Sequence, residues 1–401
     1  MASSPLSSCV KRISESPTLA ITAKAAKLKS EGKDIIGLAA GEPDFDTPDF
    51  IKKAAIEAIN NGLTKYTAVT GMPSLKKAVV KKLSKENNLH YEINEVIVGT
   101  GGKQCIFNLC LAILDAGDEV IIPAPYWVSY TDIVELTGAK PIIIPCGIEQ
   151  KFKVTPEQLV SSITDKTKLI FINSPSNPTG SVYSKLELKN IADVLLRYPE
   201  IFVATDDIYE KINLDDQPFN NILMVEPKLK MRCIVINGVS KAYSMTGWRI
   251  GYAAGPKDII TAMGNLQSQS TSNPTSISQA AAEAALNSDQ SCIKPMVATF
   301  KERHSFIVKA FNDIKGLECI DAQGAFYSFP CAKNAIDALF KEGKLKSNND
   351  VAFCEYLLDT KGVAVVPGSA FGAEGYFRVS FATSMDNLKE AAKRIKQAIE
   401  D

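Results

Sequence analysis

Little in this 401-residue sequence is of the kind that marks metal, membrane or nucleic-acid work. Its two histidines, His90 and His304, lie far apart with no second ligand type in a recognisable pattern. A zinc site and a Ser-His-Asp triad both lack their parts, and the two side chains read as satisfied surface or core histidines. No apolar run approaches the roughly 18 residues of a membrane span. The 45 basic residues balance the 45 acidic ones, so no whole-chain field exists to hold a nucleic-acid backbone or an anionic bilayer. That balance points to a small ligand. Nine scattered cysteines, an odd number with no Cys-x-x-Cys pair, fit a reduced compartment, the cytoplasm, better than a secreted one. Leu6-Ser7-Ser8-Cys9 has the outline of a lipoprotein cleavage box, yet neither a basic stretch nor an apolar one precedes it.

What is present is an ordinary globular composition, 45% hydrophobic and 22% charged, in a chain long enough for two to three domains at about 150 residues each. Short β-rich runs alternate with helical periods, the signature of an α/β fold. Strands are expected at 95–99, 119–123, 141–145, 169–173, 201–205, 233–237 and 249–254, most of them separated by helix-compatible stretches as parallel crossovers require. Outside this block a helix is expected at 22–31. Further strands fall at 35–39, 319–321, 325–329, 363–366 and 377–381, and Ser384 caps a final helix with Leu388, Ala391, Ala392, Ile395 and Ile399 on one face. The economical division is a large domain over 48–290 and a small one built from 1–47 and 291–401. The charged stretch 333–350 reads as a solvated insertion.

Ligands of open α/β sheets bind beyond the carboxyl ends of the strands, so the residues that follow each strand carry the chemistry. Thr100-Gly101-Gly102-Lys103 opens a helix and lets backbone N–H groups approach an anion, although such turns also serve as plain corners. It is no Walker loop, because Gln104 follows Lys103, and no dinucleotide fingerprint, because Gln104 stands where the third glycine belongs. Trp127 offers an aromatic plate and Asn177 an amide on a rigid turn. Asp206 and Tyr209 follow the next strand, and Ser240-Lys241 the one after. Alone, an acid and a lysine at neighbouring strand ends would be an ion pair. Together these parts are those pyridoxal phosphate needs: a lysine for the Schiff base, a carboxylate for the pyridinium nitrogen and anion contacts for the phosphate. Ser74-Leu-Lys-Lys77 matches a serine-hydrolase motif, but Lys76, Lys77, Lys81 and Lys82 read as a solvated helix face.

Ser240-Lys241-Ala-Tyr-Ser-Met-Thr-Gly-Trp-Arg249-Ile-Gly251 resembles the pyridoxal-phosphate attachment signature of class I aminotransferases. With Gly41-Glu-Pro-Asp44, Lys65-Tyr66-Thr67, Gly101-Gly102-Lys103-Gln104, Pro125-Tyr126-Trp127-Val-Ser-Tyr130, Asn177-Pro-Thr-Gly180, Asp206-Asp207-Ile-Tyr209 and Arg378-Val-Ser-Phe-Ala-Thr-Ser384, the sequence is similar to bacterial-type aspartate aminotransferases of subgroup Iγ or Ib over nearly its whole length. The resemblance implies the type I fold: a mostly parallel seven-stranded sheet with helices on both faces, one antiparallel strand at 249–254, and a smaller α/β domain that closes over substrate.

The resemblance also implies roles. Lys241 would hold the cofactor and shuttle the substrate Cα proton, Asp206 would keep the pyridine nitrogen protonated, and Tyr209 with Asn177 would hydrogen-bond the ring hydroxylate. Trp127 would stack on the ring, while Gly102 and Lys103 through their backbone amides, Ser240 and Arg249 would hold the phosphate. Arg378 would grip the substrate α-carboxylate, assisted by Asn177 and Gly41, and Tyr66 would reach the phosphate of a neighbouring subunit, completing the site only in a homodimer. The implied reaction moves the amino group of L-aspartate to 2-oxoglutarate in a ping-pong cycle. Glutamate, aromatic amino acids or prephenate are alternatives, as is a lyase of the same fold. Ser14 stands where prephenate-competent relatives carry a basic residue, with Lys11 and Arg12 offset, an arrangement that lowers the expected prephenate use. Only about 40 residues precede Gly41, too few for the roughly 60 to 80 of an appended DNA-binding domain.

Overall fold

The computed structural model describes residues 5–13, 17–215 and 217–401. Among the described residues twelve strands follow one another as β1 (Ile36–Gly37), β2 (Val96–Gly99), β3 (Glu119–Ala124), β4 (Lys140–Pro145), β5 (Thr167–Asn173), β6 (Phe202–Asp206), β7 (Cys233–Gly238), β8 (Gly251–Ala254), β9 (Tyr327–Ser328), β10 (Val363–Ala364), β11 (Val366–Pro367) and β12 (Phe377–Ser380). The helices that matter below are α1 (Pro17–Ser30), α2 (Asp49–Asn60), α3 (Pro73–Asn87), α4 (Gly102–Ile113) and α5 (Ser129–Thr137).

Strands β2 to β8 form one seven-stranded sheet in the order β2-β8-β7-β6-β5-β3-β4. Pairing is parallel from β7 across to β4, and β8 runs antiparallel to both β2 and β7, as expected for that segment. The central strands are continuous apolar runs because both faces are covered. Alternate residues separate into two cores. Ile121, Ile170, Ile172, Val203 and Val235 pack on one face, and Val120, Ile122, Leu169, Phe171, Ile234 and Ile236 pack on the other with Ile106 and Leu109 of α4. The strand order reverses between β3 and β5, and the crevice this opens at the carboxyl ends is where the site forms.

The smaller sheets are shorter than expected. The run 35–39 contributes only β1, and 363–366 divides into β10, paired with β1, and β11, paired with β12. Segment 325–329 supplies only β9, while 319–321 forms no strand, and the preceding Glu318 makes an isolated antiparallel bridge to Cys331. Near the N-terminus, α1 starts five residues earlier than the apolar periodicity suggests, at Pro17, a residue suited to a first helical turn. Stretch 333–350 is not a solvated insertion. Lys333–Lys341 is an amphipathic helix that buries Ala335, Ile336 and Leu339, and Asp350 is itself buried. The final helix, Met385–Glu400, is capped as expected by Ser384 Oγ, which accepts from Asn387 N at 3.2 Å.

Candidate active site

The carboxyl ends of β2, β3, β5, β6 and β7, together with Gly41, Tyr327 and Arg378, line a cavity of about 410 Å³. On its anion-binding side, α4 begins at Gly102 with Gly101 as N-cap, and no side chain caps the helix. Its first N–H groups are left for a ligand, where the positive end of the helix favours an anion. Glycine is required here twice over. A Cβ on Gly251 would lie 2.2 Å from the Gly102 nitrogen, and a Cβ on Gly101, at φ +86°, would lie 2.4 Å from an Arg249 guanidinium nitrogen. Arg249 itself adopts the left-handed region at φ 56°, rare for a side chain of its size. The strained backbone aims its guanidinium at the α4 start, where Nη1 donates to Thr246 O at 2.9 Å and Nη2 to Thr100 O at 3.4 Å. Ser240 and Lys103 line the same end, and the Lys103 Nζ lies 5.0 Å from the centroid of the Trp127 ring.

At the floor, Asp206 ends β6 almost completely buried, which pushes its carboxyl up; the Tyr130 hydroxyl, the Ile208 N–H and Lys241 oppose that. Tyr130 Oη donates to Asp206 Oδ2 at 2.7 Å. Asn173, the polar last residue of β5, donates to Asp206 O at 2.9 Å and accepts from Asn177 N at 2.9 Å, fixing the turn to the strand end. The Tyr209 hydroxyl lies 2.9 Å from that of Tyr327. Past β7, Lys241 Nζ reaches across the cavity to donate to Gly41 O at 2.6 Å. Burial, with Arg378 next in weight, brings its ammonium down to about 8.

The opposite wall is Arg378 on β12. Its Nη1 donates to Asn177 Oδ1 at 2.9 Å and Nη2 to Ala39 O at 2.7 Å, with Tyr327 and Phe371 rings 4.6 and 5.0 Å from the guanidinium carbon. Its Nε is buried without a hydrogen-bond partner among the described residues. A buried guanidinium without a carboxylate partner is costly unless a ligand supplies one.

The site therefore gathers Gly41, Gly102, Lys103, Trp127, Asn177, Asp206, Tyr209, Ser240, Lys241, Arg249 and Arg378 around one space. Tyr66 is elsewhere, 92% exposed. For Tyr130, which the sequence places only within a motif, and for Asn173 and Tyr327, sequence reasoning assigns no role. The polar Asn173 closing an apolar strand was a usable signal, whereas Tyr130 and Tyr327 look like core aromatics in sequence. Ser14 lies outside the described residues, and Arg12 donates to Glu135 O at 3.3 Å rather than entering the cavity. The face Lys76 to Lys82 is not uniformly solvated, since Lys76 and Lys82 are buried, and Ser74 Oγ donates to Glu283 at 2.6 Å. His90 is exposed beside Ser84, and His304 accepts from Ala322 N at 2.9 Å. Among the described residues, no helix is long and apolar enough to cross a membrane.

An uncapped helix start facing an arginine, a buried carboxylate and a lysine aimed between them are a donor set that fits pyridoxal phosphate, and with this sheet they define the type I class of enzymes built on that cofactor. Residues 33–395 match the family "Aminotransferase class I and II". The chain belongs to that family, in its class I, subgroup Ib branch, and is an aminotransferase. It is 60% identical over 390 residues to the aspartate/prephenate aminotransferase of Nitrosomonas europaea, covering 97% of this chain and 98% of that one. Among solved structures it is similar to the aspartate aminotransferase of Rhizobium meliloti, at 48% identity and TM-score 0.94 over 99% of each chain. The Thermus thermophilus aspartate aminotransferase with maleate is similar at 37% identity and TM-score 0.92, covering 98% of this chain and all of that one.

Proposed function

We propose that this protein transfers the amino group of L-aspartate to 2-oxoglutarate, as a cytoplasmic homodimer that completes its site with Tyr66 of the neighbouring copy. The observation that carries the reading is the distribution of cations. Arg378, with an unspent Nε, suits the α-carboxylate of an amino acid, and Arg249 faces the α4 start where a phosphate would sit. Lys103, over Trp127, remains for a second carboxylate, as a four- or five-carbon dicarboxylic substrate requires. The names of the relatives and nine cysteines without a disulfide support the substrate and the compartment.

Bound pyridoxal phosphate would supply an electron sink for a carbanion at the substrate Cα. Asp206 would hold a proton on the ring nitrogen, Tyr209 and Asn177 would hydrogen-bond the ring hydroxyl, and Trp127 would flank the ring. The phosphate would take the Gly102 and Lys103 amides, Ser240 and Arg249. Lys241 would bind the cofactor and move the proton between the substrate Cα and the cofactor C4′. Prephenate, a 2-oxo acid with a second carboxylate, suits the same pair of cations, and the name of the Nitrosomonas relative supports it as a further amino acceptor.

The test is to mix holoprotein with aspartate, glutamate, phenylalanine and alanine in turn, without any oxo acid, and to record the cofactor spectrum. Conversion to the pyridoxamine band, fastest with aspartate, is expected, and 2-oxoglutarate or prephenate then restores the first band. A spectrum unmoved by every amino acid, or release of ammonia, overturns transamination and favours a lyase.

A further inference from the structure

We infer that Tyr130 is a positioning residue for the cofactor's ring nitrogen: through its hydrogen bond to Asp206 it keeps that carboxylate ionised, and so keeps the proton on the ring. The inference rests on the cofactor reading above.

Tyr130 does not line the cavity, so its hydroxyl acts through Asp206. Its hydroxyl donates to Oδ2 at 2.7 Å, while Oδ1 receives only the 3.3 Å contact from the Ile208 N–H. The phenol is therefore the one short donor that this carboxylate has among the described residues. Burial far from water keeps the phenol un-ionised, so it always has a proton to donate. The ring is held for the task by Phe171, stacked at 4.5 Å and 11°, and by Trp127, edge-on at 5.4 Å.

A proton shared between a carboxylate and a pyridine nitrogen resides on the more basic partner. Burial makes Asp206 a stronger base than usual and pulls the proton toward it; a hydrogen bond to the carboxylate opposes that pull. Without the hydroxyl the balance shifts to neutral acid and neutral ring, and the ring becomes a poorer electron sink. Removing a hydrogen bond to a charged group corresponds to roughly 10- to 100-fold in an equilibrium.

The experiment is Tyr130→Phe holoenzyme reconstituted with cofactor carrying ¹⁵N in the ring. The nitrogen signal is expected to move toward the unprotonated position, and the half-reaction with aspartate to slow by about 10- to 100-fold. With the analogue that has carbon in place of the ring nitrogen, wild type and variant should react alike. An unmoved ¹⁵N signal, or an equal slowing with the carbon analogue, overturns the inference, because a packing defect would act on both cofactors. If Tyr130→Phe does not fold, 4-aminophenylalanine at position 130 keeps the shape with a weaker donor and should move the signal the same way by less; no movement overturns the inference. A wild-type protein that takes up no cofactor overturns the cofactor reading itself.

Discussion

The turn from Asp206 to Glu210 treats buried charge in opposite ways on its two sides. Away from the cavity, every carboxylate oxygen is answered. Asp207 accepts from Thr205 Oγ1 at 2.7 Å and from Asn221 Nδ2 at 2.6 Å, while Glu210 pairs with Lys82 and accepts from Asn87 Nδ2 at 3.1 Å. Toward the cavity, capacity is left over: Asp206 Oδ1 has only a long contact, Arg378 Nε has no partner among the described residues, and Lys241 donates to one carbonyl. Asp206 and Arg378 are as buried as Asp207 and Glu210, so burial does not separate the two sides. Saturation does: a buried polar group with all its partners holds the fold, whereas one with capacity unspent pays a desolvation cost that a ligand can recover.

Lys241→Ala strikes the unsaturated side and carries the largest expected effect. Turnover should fall by at least about 10²- to 10⁴-fold, the share of a general acid/base, and the absorbance of covalently held cofactor should vanish. The unfolding midpoint should not drop, since the change removes a part-buried ammonium that pairs with no carboxylate among the described residues. Retained turnover with retained absorbance would break the comparison at its strongest point.

Lys82→Met strikes the saturated side. Lys82 and Glu210 side chains are 3% and 6% exposed, so the variant leaves a carboxylate in the interior without its counter-charge. About 3–5 kcal/mol of stability should be lost, read from urea or thermal unfolding, while the half-reaction rate of folded protein stays put. Lys82→Met combined with Glu210→Leu should recover most of the loss, because a buried ion pair is often replaceable as a unit. A slower half-reaction at unchanged stability would mean that the two sides are not separate.

The same contrast explains how much was legible in sequence. All seven strands of the large sheet stand out because runs such as Leu169-Ile-Phe-Ile are buried on both faces and end in polar or turn residues. Lys241 was legible for the same reason, as a cation just past a buried strand. In contrast, two-residue strands such as β1 and β9 are too short for alternation to mark, and their residues are placed by tertiary packing instead. Lys82 reads as solvated in sequence because its partner Glu210 is distant along the chain and its neighbour Lys81 is exposed, so the helix face has a uniformly charged pattern. Tyr130 stands within a motif, but nothing local says that its hydroxyl reaches Asp206. Strand ends and their loops are readable one at a time; saturation is a property of pairs brought together by the sheet.

The smallest expected effect is a pH dependence that sharpens the comparison without mutation. Lys241 sits at about 8 because burial disfavours its charge, and Arg378 and Arg249 add repulsion that Glu42 and Asp206 only partly offset. Only the neutral amine is a nucleophile, so capture of cofactor by cofactor-free protein should quicken as pH rises through about 8 and then level off. At pH 7 about a tenth of the amine is neutral, and the rate should be lower than at pH 8 by about fivefold. Stopped-flow mixing with pyridoxal phosphate between about pH 6 and pH 10 measures this directly. Arg378→Met, which removes the cation that repels Lys241 most strongly, should move the midpoint upward. A midpoint at the ordinary lysine value, unmoved by that substitution, would mean that the unpaired cations around the cavity do not set the reactivity of Lys241.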